Sequence, residues 1–262
     1  MRTSIFLALL SVLTLSCATT KKPEKATYSP KLSYAIEDQL FEASVALPKK
    51  FDGRIPLVVI VHEWWGRTEF MQEQSKRLTD AGYATLTVDL FGNSQVVETP
   101  AEAQALATPF YQNPQMGIER LNKYIQLAKN DPHVDSTKIF VIGFCFGGTQ
   151  ALNLARTGAD IAGVVSFHGG LASSLPQLPI KARILALNGL ADPMVPAKER
   201  AGFEKEMKAI KANFKSINYK GATHAFTNPK ATEIGKKYKI PVAYDKKAAE
   251  ASYQELFKFL KQ

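Results

Sequence analysis

Cysteine is nearly absent. The chain has 2, Cys17 and Cys145, too few for a disulfide-stapled scaffold. Histidine is scarce as well, at 4 residues, and no His/Cys/acid cluster has metal-ligand spacing. No phosphate-cradling glycine loop follows the first strand-like run. Internal repeats are missing, and so is the aromatic-basic stripe of single-strand nucleic-acid binders. Ile5 to Leu15 is an apolar run too short to span a bilayer in the ordinary way. What is present is ordinary globular material. Hydrophobic residues make up 45% of 262, enough for a core without staples, and charged residues 22%. The net charge of +9 is spread, with weak pairs only at Lys236-Lys237 and Lys246-Lys247. It reads first as a solvated surface and second as attraction to anionic membranes or acidic substrates. No nucleic-acid recognition motif accompanies it.

The N-terminus is a targeting segment. Arg2 supplies a positive charge, the apolar run follows, and Leu13-Thr14-Leu15-Ser16-Cys17 leads into polar sequence. This resembles a bacterial lipoprotein signal, cleaved before Cys17 and lipidated on that cysteine. A plain secretory signal with an incidental cysteine is the alternative. The expected division is a signal peptide over 1–16, a polar tether over 17–31 and a single domain over 32–262. Either reading exports the chain: to the periplasmic side of the envelope as a lipoprotein, otherwise to the periplasm or medium. Membrane contact is expected only through the lipid. With Cys17 lipidated, Cys145 is a lone thiol in an oxidising compartment, which points to a protected or functional residue.

Beyond the tether, strand-like and helix-like segments alternate. Leu57–Val61, Tyr83–Leu90, Ile139–Ile142, Val164-Val165, Ile184–Leu187 and Phe214–Tyr219 read as strands. Phe70–Ala81, Gly117–Lys129, Gly147–Ala155, Ala197–Ile210 and Ala243–Leu260 read as helices. This alternation predicts an α/β fold, a mostly parallel central sheet with helices on both faces. Sites in such sheets lie at the carboxyl ends of the strands.

Gly143-Phe144-Cys145-Phe146-Gly147-Gly148 joins a strand to a helix and has the form of a nucleophile elbow with cysteine in the serine position. Small neighbours let the strained turn pack, and the following helix N-terminus favours a thiolate. Alone, the motif reads equally well as a buried structural cysteine. Asp192 follows a late strand, and His224 follows the last one. Alone, they read as a turn acid and a surface-loop histidine. Together, the order Cys145, Asp192, His224 is that of an α/β-hydrolase triad: nucleophile, orienting acid, base. His62-Glu63-Trp64-Trp65-Gly66 follows the Leu57–Val61 strand, where this fold supplies an oxyanion-hole amide. The expected donors are the backbone amides of Trp64 and Phe146. The Trp64 and Trp65 side chains read as pocket wall or core, and Glu63 alone as a salt-bridged residue under its loop. His168 reads as a structural or pocket-lining residue, and His133 as a loop residue.

These four segments resemble the dienelactone hydrolase family, by motif order and spacing over roughly residues 32–261. The resemblance implies a single α/β-hydrolase domain without a large cap, with Cys145, His224 and Asp192 as triad. It also implies a Glu63 near the thiol that helps to activate it when substrate arrives. The family's best-known members hold a substrate carboxylate with two arginines; the matching positions here are Asn93 and Asn228. These asparagines, with Trp65, are the expected substrate-binding residues. They point away from dicarboxylate-like substrates and toward neutral esters or lactones. The segment 227–242 is long for a connection and is a candidate flap.

The expected function is therefore hydrolysis of a small-molecule carboxylic ester or lactone through a cysteine nucleophile and a thioester, with no cofactor or metal. Two alternatives stand beside it: a thioesterase or general carboxylesterase with the same triad, and a non-catalytic envelope lipoprotein using the fold as a binding scaffold. Oligomeric state is open.

Overall fold

The computed structural model describes residues 32–176 and 178–262. The signal segment and the whole tether, Cys17 included, lie outside the described residues. Eight strands form one sheet: β1 (Leu32–Ile36), β2 (Gln39–Ala46), β3 (Ile55–Val61), β4 (Ala84–Val88), β5 (Val134–Phe144), β6 (Gly163–Phe167), β7 (Arg183–Gly189) and β8 (Phe214–Tyr219). Their order is β1-β2-β4-β3-β5-β6-β7-β8. From β4 to β8 every neighbouring pair is parallel, and the β1-β2 hairpin adds antiparallel to β4. This is the mostly parallel α/β sheet that the alternating pattern predicts, in the α/β-hydrolase arrangement that the resemblance implies.

Helices cover both faces. They are α1 (Glu69–Asp80), α2 (Pro100–Gln112), α3 (Pro114–Lys129), α4 (Phe146–Arg156), α5 (Ala197–Ala209), α6 (Ala231–Tyr238) and α7 (Lys246–Leu260). The period-2 alternation of the strands divides the core. Leu57, Val59 and Val61 of β3 and Ile139 and Val141 of β5 pack with α2, α3, α4 and α5. Val58, Ile60, Phe140 and Ile142 face the other way, onto Phe70, Met71 and Leu78 of α1 and Leu256 and Phe259 of α7. The inner strands are therefore apolar on both faces, which is why they read as continuous runs.

The periodicity predicts no helix over 100–112, where Pro109 interrupts the pattern, yet α2 forms there. Its N-terminus holds a capping box: Glu102 N donates to the Thr99 hydroxyl at 3.4 Å, and Thr99 N donates to the Glu102 carboxylate at 3.1 Å. Pro100 at the first helical position is compatible with that start. β1 and β2 are also absent from the sequence reading, because their faces alternate between intermediate and exposed over most of their length.

Candidate active site

Cys145 sits between β5 and α4 with φ 55° and ψ −120°. The left-handed φ aims its side chain out of the sheet and costs strain that close packing must offset. That packing leaves no room at the neighbouring glycines. A Cβ on Gly143 would lie 2.0 Å from the Gly147 carbonyl oxygen, and one on Gly147 would lie 2.3 Å from the Val61 carbonyl oxygen. The Cys145 amide donates to the Phe167 carbonyl at 2.9 Å and to His168 Nδ1 at 3.1 Å.

His224 and Asp192 converge on the same place from the β8 and β7 ends. His224 Nδ1 bonds Asp192 Oδ2 at 2.8 Å, and the other carboxylate oxygen accepts from the Met194 amide at 2.8 Å. Both side chains are buried. His224 Nε2 has no hydrogen-bond partner among the described residues. Burial alone would lower the His224 pKa. The facing Cys145 and the Asp192 carboxylate outweigh it and raise the value to about 10.

Glu63, just past β3, is 1% exposed. Asn228 Nδ2 donates to its Oε2 at 2.7 Å. Burial raises the Glu63 pKa to about 7, against the lowering pull of that bond and of His224. His62 beside it is also buried. Leu90 N donates to its Nε2 at 3.1 Å, so Nδ1 carries the hydrogen and donates to the Glu63 carbonyl at 2.6 Å. Burial keeps this imidazole neutral, with a pKa near 4. His62 thus ties the β3 end to the β4 end. The Trp64 and Phe146 amides donate to no protein acceptor among the described residues.

These groups open onto a cavity of about 400 Å³. Cys145, His224 and Glu63 line it together with Trp64, Trp65, Tyr111 and Phe146. Lysine and arginine are missing from the lining, whose carboxyl groups are Glu63 and Glu199. Glu199 Oε1 accepts from the Leu171 and Ala172 amides at 2.5 and 3.0 Å. Among the described residues no cluster of three or more His, Cys, Asp or Glu is placed to hold a metal ion.

Residues 41–262 match the profile described as the dienelactone hydrolase family. The chain belongs to this family. A dienelactone hydrolase-like promiscuous phosphotriesterase from metagenomic libraries superposes with a TM-score of 0.82 at 28% identity, over 88% of this chain and 96% of its own. The dienelactone hydrolase of Anabaena variabilis shares the fold at a TM-score of 0.57 and 22% identity, over 80% and 97% of the two chains. An uncharacterized protein of Caenorhabditis elegans is 33% identical over 148 residues, 55% of this chain and 91% of its own. As a dienelactone hydrolase-family member the chain is a carboxylic ester or lactone hydrolase.

Within this family member the structure corrects one expectation. Asn93 is exposed and lies outside the cavity lining. Its amide donates to the Leu40 carbonyl at 2.6 Å and its Oδ1 accepts from the Leu40 amide at 3.0 Å, so it pins the β2 hairpin. Its φ of 53° is one that asparagine tolerates. Asn228 does line the cavity, but both its polar ends are engaged: Nδ2 on Glu63, and Oδ1 accepting from the Lys230 amide at 3.0 Å. The Trp64 and Trp65 side chains form wall, with ring centroids 5.0 Å apart. Two lining residues were not legible in the sequence, Tyr111 of α2 and Glu199 of α5, and neither was the bond that the Cys145 amide donates to His168. The Thr99 capping box was the available signal for α2 and hence for Tyr111.

Proposed function

We propose that this chain hydrolyses a neutral carboxylic ester or lactone through Cys145. One observation carries the reading: a histidine held by a buried carboxylate at 2.8 Å shares a cavity without lysine or arginine with a thiol at a strained elbow. In this reading His224 Nε2 takes the thiol proton as general base. The thiolate adds to the ester carbonyl carbon. The Trp64 and Phe146 amides stabilise the oxyanion, where one such donor is worth about 3 kcal/mol. His224 returns its proton to the leaving alkoxide as the C–O bond breaks, leaving a Cys145 thioester. Water, deprotonated by His224, then adds to the thioester. Collapse releases the acid and restores the thiol. Asp192 orients the imidazole and stabilises its cation. Glu63, with its carboxyl raised to about 7, is a second proton-exchanging group close to neutral pH.

The same cavity, without lysine or arginine, favours a second substrate class. The metagenomic relative is a promiscuous phosphotriesterase, and phosphotriesters are uncharged, so a neutral phosphotriester belongs in any substrate panel. Export as an envelope lipoprotein through Cys17 is part of the proposal and rests on the signal-like segment. Lipid label lost in Cys17→Ser checks it.

The catalytic reading is tested with Cys145→Ala and His224→Ala against an ester panel, with mass spectrometry of rapidly quenched wild-type enzyme. Loss of activity in both variants and an acyl adduct on Cys145 are expected. Wild-type-like turnover by both variants would overturn it.

A further inference from the structure

The cavity has a polar face that the proposed chemistry leaves unused. Gln104, Ala107, Thr108 and Tyr111 of α2 all line it, at the i, i+3, i+4 and i+7 spacing of one helical face. The Thr108 hydroxyl is occupied, donating to the Gln104 carbonyl at 2.7 Å. Gln104 and Tyr111 are both exposed, and among the described residues no hydrogen bond engages the Gln104 side-chain amide or the Tyr111 hydroxyl. Trp65, with Ala231, Ile234 and Val242 in and after α6, gives the cavity an apolar wall.

Tyr111 is placed close to the reacting atoms. Its ring meets the ring of Phe146, the residue after Cys145, edge-on at 6.0 Å and 90°. The residue is 52% exposed, and partial desolvation of the phenol, with Cys145 nearby, pushes its pKa up. It therefore keeps its proton and donates. Gln104 lies seven residues earlier, about 10 Å along the helix at the usual rise. No lysine or arginine lines the cavity, so these donors are matched to an uncharged oxygen rather than to a carboxylate.

We propose that Tyr111, followed along the helix by Gln104, determines specificity by hydrogen-bonding a second oxygen of the substrate, one separate from the scissile group. The substrate class is then an oxygenated neutral ester or lactone, carrying a hydroxyl, ether or keto oxygen near the ester. This deepens the reading of Cys145 as nucleophile and rests on it. A plain hydrocarbon acyl chain would leave both donors unpaired when it excluded water from the cavity.

The test compares phenyl butanoate with phenyl 3-hydroxybutanoate. Wild type is expected to prefer the hydroxy ester in kcat/KM. Tyr111→Phe keeps the ring against Phe146 and removes only the donor. It is expected to shrink that preference three- to tenfold, the scale of one neutral hydrogen bond. Gln104→Leu, at an exposed position, is expected to have the smaller effect on this short substrate. Calorimetric binding of both esters to Cys145→Ala, with and without Tyr111→Phe, repeats the comparison without turnover. An equal preference in Tyr111→Phe and its parent, in turnover and in binding, would overturn the proposal. Wild-type-like hydrolysis by Cys145→Ala would instead overturn the reading of the nucleophile, with the binding arm still deciding the role of Tyr111.

Discussion

Asn228 donates to the Glu63 carboxylate at 2.7 Å across 165 residues of chain, joining the loop after β3 to the segment after His224. A neutral amide is a weak counterweight to burial, so the acid titrates close to neutrality instead of staying ionised. The sign of the consequence is definite. In the fold Glu63 keeps its proton up to about pH 7, whereas the unfolded acid releases it near 4.5. Folded protein therefore loses stability as pH rises from about 4.5 through 7. Glu63→Gln keeps a partner for Asn228 and removes the titration. Its stability relative to wild type should grow with pH, by about 3 kcal/mol at most once pH 8 is reached. Melting curves from pH 5 to 8 check this, and parallel curves for the two proteins would contradict it.

His168 is expected to position the nucleophile without touching substrate. It is fully buried and outside the cavity lining. Burial holds its pKa well below the usual range, so the ring is neutral. With Nδ1 accepting from the Cys145 amide, Nε2 carries the hydrogen and donates to the Thr227 hydroxyl at 2.8 Å. His168→Leu should lower kcat about tenfold, the scale of one lost hydrogen bond, with KM little changed. His168→Gln, which offers both an acceptor and a donor, should recover part of the loss. A KM defect without a kcat defect would place His168 in substrate binding instead.

Gly147→Ala should destabilise the fold. The added Cβ would meet the Val61 and His62 carbonyl oxygens at 2.3 and 2.6 Å, and backbone of the central strand cannot step aside. Overpacking of this kind costs roughly 1–3 kcal/mol. Gly202→Ala is the control: within α5 nothing lies within 4 Å of its new Cβ, and alanine favours the helix. Thermal melts should show a lower Tm for the first and an equal or higher Tm for the second. Equal melting temperatures for Gly147→Ala and wild type would refute the close-packing account of the elbow.

The enzyme is expected to prefer a neutral lactone over its carboxylated analogue by at least about tenfold in kcat/KM. A buried anion without a cation suffers a desolvation cost that a neutral group avoids. Glu63 and Glu199 in the lining add repulsion whenever ionised. Lys230 does not supply the missing charge, because it pairs with Glu69 at 2.8 Å on the exposed surface. A carboxylate preference lost on replacing Lys236, Lys237 or Lys239 would show that one of these lysines reaches the substrate.

Local sequence was enough for the parallel core and for the candidate triad. Val58 to Val61 and Ile139 to Ile142 are β-branched or aromatic runs whose burial on both faces leaves a plain pattern. The glycines around Cys145 record a backbone conformation that few other residues permit. Order along the chain then separated Cys145, Asp192 and His224 from other loop residues. Asn93 shows where that reasoning stops. The resemblance assigned it to substrate binding, yet it bonds Leu40 of a hairpin whose mixed exposure hides it from pattern analysis. Glu63 and Asn228, or Cys145 and His168, meet only because strand order and crossover direction bring separate loops to one sheet edge. The same holds for Tyr111, which needs both the capping of α2 and the packing of that helix against Phe146. Periodicity and turn chemistry report a residue's own backbone and its burial. Which loops converge is decided by long-range packing, and that information resides in no short stretch of sequence.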